Sequence, residues 1–187
     1  KDLNKITFRH SVELEEILEN YFKNNNTFLF SKTSGDIWLQ AMKTLYNNGH
    51  NIKDGEQNLK ELLSVLIEVE NPTIVDDDII KYGDPSMIEW MKNNFLSVEP
   101  IENWGYSYGQ RMYKYNNNYN QFDKIIEKLK NNPESKSATI CFANPEQDMK
   151  HSPCIISLDV KIRNGKIVGN AFFRSQDAGK KFYADIM

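Results

Sequence analysis

Residues 152–177, SPCIISLDVKIRNGKIVGNAFFRSQD, decide the fold. Two runs rich in β-branched and aromatic residues flank Asn164-Gly165. An Asn-Gly pair in that setting is a strong signal for a two-residue hairpin turn, because both residues tolerate the positive φ that the turn needs. Residues 154–162 and 166–175 are therefore expected as long antiparallel strands, which brings Cys154 and Arg174 to the same end of one ladder. Residues 138–143, ATICFA, read as a further strand.

Helices are expected on both sides of this region. Residues 11–23 place Val12, Leu14, Ile17, Leu18, Tyr21 and Phe22 three and four apart behind Ser11 as N-cap. Ser34–Asn48 carries Ile37, Trp38, Ala41, Met42 and Leu45 on one stripe and ends at Gly49. Pro85–Phe95 begins with Pro at a helix start and sets Met87, Ile88, Met91 and Phe95 on one face. Residues 119–131 repeat the pattern and stop before Pro133, and a helix resumes near Ala178. Residues 59–70 alternate after Leu63 and read as a strand that ends at Asn71-Pro72. The acidic run Asp76–Asp78 reads as solvated loop, since no fixed ligand spacing surrounds it. Helices first and strands later imply an α/β or α+β domain on one large mixed sheet with flanking helices, spanning residues 1–187 as a single domain.

Composition narrows the function. With 40% hydrophobic residues the chain can bury a core, and a net charge of −3 offers no basic field for nucleic acid or an anionic membrane. No apolar run approaches the roughly 20 residues of a membrane span, and the first ten residues lack a signal peptide's apolar centre. A cytoplasmic protein is expected. Its two cysteines, Cys141 and Cys154, lack metal spacing and read as reduced thiols, with Cys141 in the core.

The Pro153-Cys154 step, the hairpin, and Arg174-Ser175-Gln176-Asp177 after it together resemble the catalytic centre of the thymidylate synthase and pyrimidine hydroxymethylase superfamily. In that family a Pro-Cys step opens a strand and an Arg-Ser-any-Asp motif ends its partner, with the same 20-residue separation. Upstream, Trp104–Arg111 resembles the family's Tyr-Gly segment, and Asn120-Gln121 its Asp-Gln step. Asn132-Pro133 and Asn144-Pro145 resemble its two Asn-Pro turns. Order and spacing agree over roughly residues 35–187.

The resemblance implies a mechanism. The Cys154 thiolate adds to C6 of a pyrimidine nucleotide, and C5 then takes a one-carbon unit from 5,10-methylenetetrahydrofolate. A free thiol has a pKa of about 8.5, so the neighbouring Arg174 guanidinium is expected to favour the thiolate as well as hold an anion. Ser175 is implied to bond the ring or phosphate region, Asp177 and Trp90 to hold the folate, and Tyr108 to join the network that moves the C5 proton. A homodimer paired through sheet faces is also implied.

Eleven residues after Arg174, where thymidylate synthases place an Asn that reads the pyrimidine edge, this chain has Asp185. Asn can both donate to O4 and accept from N3–H of uracil; a carboxylate only accepts, which suits the amino group of cytosine. Asp there resembles the cytidylate hydroxymethylases, in which water rather than hydride completes the product. Methylation of dUMP, and a nucleotide-binding paralogue without catalysis, are the alternatives. Lys136 and Ser137 stand where the family has two phosphate-binding arginines. A charge-assisted hydrogen bond contributes about 1.5–3 kcal/mol, so losing both costs on the order of 10²–10⁴ in affinity unless Lys136 compensates. Met87 stands at the family's catalytic Glu, with Glu89 as substitute, and Lys181 where Gly is usual. The chain stops before the family's His-any-Tyr motif, which implies a member truncated at its C-terminus.

Overall fold

The computed structural model describes residues 27–116 and 118–187, so the helix expected over residues 11–23 lies outside the described residues. The chain divides into two compact units, Lys1–Tyr82 with Ile186–Met187, and Gly83–Asp185.

In the first unit β1 (Phe28–Ser31) pairs in parallel with β4 (Leu66–Val69), Phe28 opposite Leu66 and Ser31 opposite Val69. Helix α1 (Ser34–Asn48) keeps the bounds its periodicity sets, with Thr33 accepting from Asp36 N at 3.2 Å as N-cap. It buries Ile37, Trp38 and Ala41. The hairpin of β2 (His50–Asp54) and β3 (Gln57–Glu61) turns at Gly55, whose φ of 59° is the left-handed geometry glycine accepts freely. Residues 59–70 are thus not one strand: β3 ends at Glu61, Ser64 takes a φ of 57°, and β4 starts at Leu66 with a different partner.

The expectation of a solvated loop at Asp76–Asp78 is also corrected. Asp76 is 7% exposed and accepts from Gly35 N at 2.8 Å, Asp78 N at 3.1 Å and Ile79 N at 3.3 Å, so it caps α2 (Asp77–Tyr82) and satisfies the first turn of α1 at once. A Cβ on Gly35 would lie 2.0 Å from Asp76 Oδ1, so only glycine admits this approach.

The second unit holds α3 (Pro85–Leu96), α4 (Tyr108–Tyr113), α5 (Gln121–Asn131), the antiparallel sheet β5 (Thr139–Cys141), β6 (Ile155–Arg163) and β7 (Lys166–Phe173), and α6 (Phe182–Asp185). Asn164 at φ 51° and Gly165 at φ 72° make the turn that their identities predict, with Arg163 opposite Lys166. The sheet lays Leu158, Val160 and Ile162 against a core of Met91, Tyr106, Tyr108, Met112, Ile125, Leu129, Ile140 and Phe142. The expected flanking helices are present, but the described strands form three separately bonded sheets rather than one. Cys141 is exposed rather than in the core, because alternation along β5 buries Ile140 between it and Thr139.

Replacing Asp76 with Ala leaves a buried N–H without an acceptor and uncaps α2, and is expected to destabilise the protein by about 2–4 kcal/mol in chemical denaturation. Asp77→Ala, at an exposed neighbour, should change stability by no more than about 0.5 kcal/mol.

Candidate active site

The site grows from the open end of the β6–β7 ladder. Ile155 pairs with Phe173 and Ser157 with Phe172, leaving Ile156 as a bulge. Its carbonyl accepts from Phe142 N at 2.9 Å and Ala143 N at 3.3 Å, which pins the bulge to the chain leaving β5. A bulge re-aims the residues beside it; here it turns Ile155 into the core, 4% exposed, directly after the half-buried Cys154. One step on, Arg174 N donates to Cys154 O at 2.9 Å, so the two residues meet at one end of the ladder.

The Arg174 side chain makes a different contact from the expected one. Nε donates to Pro153 O at 2.9 Å and Nη2 to Ser152 O at 2.6 Å. Residues 151–153 lie outside the strand, so their carbonyls need donors from elsewhere, and the guanidinium supplies two. It fixes the approach to the sulfur rather than bonding the sulfur. Its charge still reaches the centre: Tyr106 is influenced by both Cys154 and Arg174.

Opposite this turn lie two phenols. Tyr108 sits at the start of α4, held by Asn94 Oδ1, which accepts its N–H at 2.9 Å, and by Ser107, which caps the helix by accepting from Gln110 N and donates to Ser97 O. A Cβ on the next residue, Gly109, would lie 2.3 Å from Ser97 O, so α4 can approach α3 only with glycine there. The Tyr108 hydroxyl accepts from Ile155 N at 3.3 Å. Burial pushes its pKa well above the ordinary phenol value, the Ile155 bond pulls it down, and negative charge at Cys154 pushes it up again. Tyr106, 4% exposed, is pushed up to about 12, first by burial, then by Cys154 and Asp148, with Arg174 and Arg111 opposing. Both phenols are neutral donors at physiological pH.

Beneath Tyr106 the buried Arg111 guanidinium lies 5.5 Å from its ring and donates to Asp148 at 2.5 Å. Asp148 also accepts from Asn144 N at 2.6 Å, tying the second Asn-Pro turn to α4. Gln121, the second residue of the Asn120-Gln121 step, donates to Arg111 O and Cys141 O, both at 2.8 Å, and accepts from Cys141 N at 3.0 Å. It holds α4, α5 and β5 together.

Asp185 closes α6. Its Oδ2 accepts from Gln176 Nε2 at 2.5 Å, and its Oδ1 is buried with no partner among the described residues. Burial pushes the carboxyl up to about 6, against the Gln176 bond and the Lys181 charge, which favour ionisation. Tyr108 lies within electrostatic range of the same carboxyl. The Lys181 ammonium sits 4.5 Å from the Trp104 ring and 5.6 Å from the Trp90 ring, and the indoles meet edge to face at 5.0 Å. Asp177 Oδ1 accepts from Gly179 N and Lys180 N. Ser175 lies at the surface beside Arg174.

The structure thus gathers Cys154, Arg174, Tyr108 and Asp185, and links Trp90 to them through Trp104 and Tyr106, whose rings lie 5.8 Å apart. It leaves Lys136 exposed beyond the Asn132–Ser135 turn. Glu89, the candidate substitute for the acid at the Met87 position, lies in solvent: it is 63% exposed, 3.6 Å from Lys92, and bonded by Asn93. Tyr106, Trp104 and Gln176 belong to the same neighbourhood; each lies inside a motif segment, but the motifs assign none of them a role. The visible trace of Tyr106 is the Tyr-Ser-Tyr alternation before Gly109.

Comparison with known proteins places the chain in a family. A model of the family described as Thymidylate synthase matches residues 35–186. A putative thymidylate synthase of Methanosarcina mazei is 31% identical over 173 residues, covering 90% of this chain and 79% of its own length. One from Methanosarcina acetivorans is 32% identical, covering 83% and 73%. The deoxyuridylate hydroxymethyltransferase of Bacillus phage SP01 is 25% identical, covering 81% and 48%. The chain belongs to the thymidylate synthase family and is a one-carbon transferase of pyrimidine nucleotides, in a family whose enzymes take that carbon from 5,10-methylenetetrahydrofolate.

Proposed function

We propose that the chain hydroxymethylates C5 of a cytosine nucleotide, with Cys154 adding to C6. The observation that carries this reading is Asp185: a carboxyl, buried on one oxygen and held at 2.5 Å by Gln176 on the other, stands where an amide would read uracil. Above its pKa of about 6 it can only accept, which matches the amino group of cytosine and opposes the lone pairs of uracil O4. The phage relative's name supports a hydroxymethyl product, although that name specifies deoxyuridylate. The archaeal relatives, named putative thymidylate synthases, favour methylation of dUMP as the second reading.

In the proposed mechanism the Cys154 sulfur forms the bond to C6 and C5 gains the electron pair that attacks the one-carbon unit. Arg174 keeps the sulfur's backbone in place and, through the N–H groups not given to Ser152 and Pro153, takes an anionic group of the nucleotide with Ser175 beside it. Lys136 contributes to that phosphate only if it is offered to a second subunit. Tyr108, neutral and anchored by Ile155 N, holds the proton network next to C5. For the folate, Asp177 has one carboxylate oxygen engaged in its own turn and the other without a hydrogen bond among the described residues, and its backbone carbonyl accepts from the N–H of Lys181, whose ammonium lies 5.6 Å from the Trp90 ring; a carboxylate and an indole are the groups a flat pterin would use. Methylenetetrahydrofolate supplies the carbon at the formaldehyde oxidation level. We also infer a homodimer, supported by Val168 and Phe172, which share an outer face of β7 and are 43% and 61% exposed.

Incubation of C5-tritiated dCMP with methylenetetrahydrofolate should release tritium to water, and Cys154→Ala should reduce release at least about 10³-fold, as loss of a covalent nucleophile does. Release from neither dCMP nor dUMP would sink the enzymatic reading. Base preference should also depend on pH. As pH falls from 7.5 to 5 the Asp185 carboxyl gains a proton and with it a donor for O4, so the dCMP to dUMP ratio of kcat/KM should fall about tenfold with a midpoint near 6. In Asp185→Asn the ratio should favour uracil and stay flat with pH; a ratio that is flat in the unaltered protein would remove Asp185 as the reader.

A further inference from the structure

Gln176 stands at the unrestricted position of the Arg-Ser-any-Asp motif, between Ser175 and the folate-side Asp177. Its amide donates to Asp185 Oδ2 at 2.5 Å across nine residues of chain, while Asp185 Oδ1 is buried without a partner among the described residues. A carboxyl is symmetric and can present either oxygen; a donor bound to one of them removes that freedom and leaves a single acceptor to meet a base. We propose that Gln176 is a positioning residue for base recognition, which orients the Asp185 carboxyl so that Oδ1 alone faces the pyrimidine edge and thereby sets the preference for a base bearing an amino group. This rests on the reading that Asp185 contacts the base.

Among the described residues, three groups act on that carboxyl. Gln176 comes from the loop after β7, Lys181 from the approach to α6, and Tyr108 from α4. Helix α3 packs on α6 but its charged side chains, Glu89 and Lys92, pair with each other in solvent. The Lys181 ammonium lies over the two indoles. Gln176 is therefore the group that both touches the carboxyl and favours its ionised form, so its loss has a signature that a purely structural role would not produce.

Three proteins decide the matter: the full chain, Gln176→Met, which keeps the length and removes the donor, and Gln176→Glu, which keeps the shape and sets a second carboxyl against the first. Thermal melts confirm that each variant is folded. The dCMP to dUMP ratio of kcat/KM at pH 7.5 should fall about tenfold in Gln176→Met, and its pH midpoint should rise by about one unit, with a larger rise in Gln176→Glu. A carbon-13 carboxyl titration of Asp185 without nucleotide should show the same order. An unchanged titration of Asp185 in Gln176→Met overturns the proposal whatever the activity. An unchanged base ratio in that variant, where the unaltered protein prefers cytosine, overturns it too. If the unaltered protein shows no cytosine preference, while Asp185 still titrates higher in Gln176→Met, the substrate reading fails and the contact itself stands.

Discussion

The ladder bond from Arg174 N to Cys154 O is the constraint on which the rest depends. It is the last rung of a sheet, and beyond it the chain of residues 151–153 has no strand partner. A single side chain, that of Arg174, supplies hydrogen bonds to Ser152 and Pro153 and so prolongs the order of the sheet by two carbonyls. Cys154 and Arg174 are placed together by backbone geometry, with the guanidinium engaged by carbonyls rather than by the sulfur.

Around this end the protein uses polar groups where an ordinary core would use apolar ones. The side chains of Arg111 and Asp148, of Gln121 bonded to the Cys141 backbone, and of Asn94 bonded to the Tyr108 N–H are buried, and each joins two elements that hydrophobic contact alone would leave free to slide. Buried ion pairs return little net stability, since desolvation offsets much of the Coulomb gain. Here Arg111 and Asp148 fix the turn at Asn144 relative to α4.

Much of this was legible in residue order. The hairpin followed from Asn164-Gly165, α1 from its stripe, and the meeting of Cys154 and Arg174 from antiparallel pairing alone. What escaped had no periodic signature. The β2–β3 hairpin is almost wholly exposed, so its strands show no apolar alternation, and only Asp54-Gly55 marks it. Helix α4 is six residues long and is nucleated by Ser107 and Asn94 rather than by its own pattern. Asp76 looked solvated because its acceptors are satisfied from a helix 41 residues earlier, a contact that spacing cannot show. The bond from Gln176 to Asp185 spans a loop for the same reason, and the guanidinium's choice of carbonyls over sulfur depends on which backbone groups the sheet leaves unpaired.

Gly109 carries a consequence for how such a site can drift over generations. The atoms that would collide with a methyl group there are the carbonyl oxygens of Phe95 and Ser97, at 2.7 and 2.3 Å, and they belong to backbone that cannot rotate away. Any larger residue pries α4 from the end of α3 and carries the adjacent Tyr108 with it. The alphabet allowed at this position has one letter. An inert position with no side chain thus limits which descendants of this sequence keep Tyr108 beside Ile155.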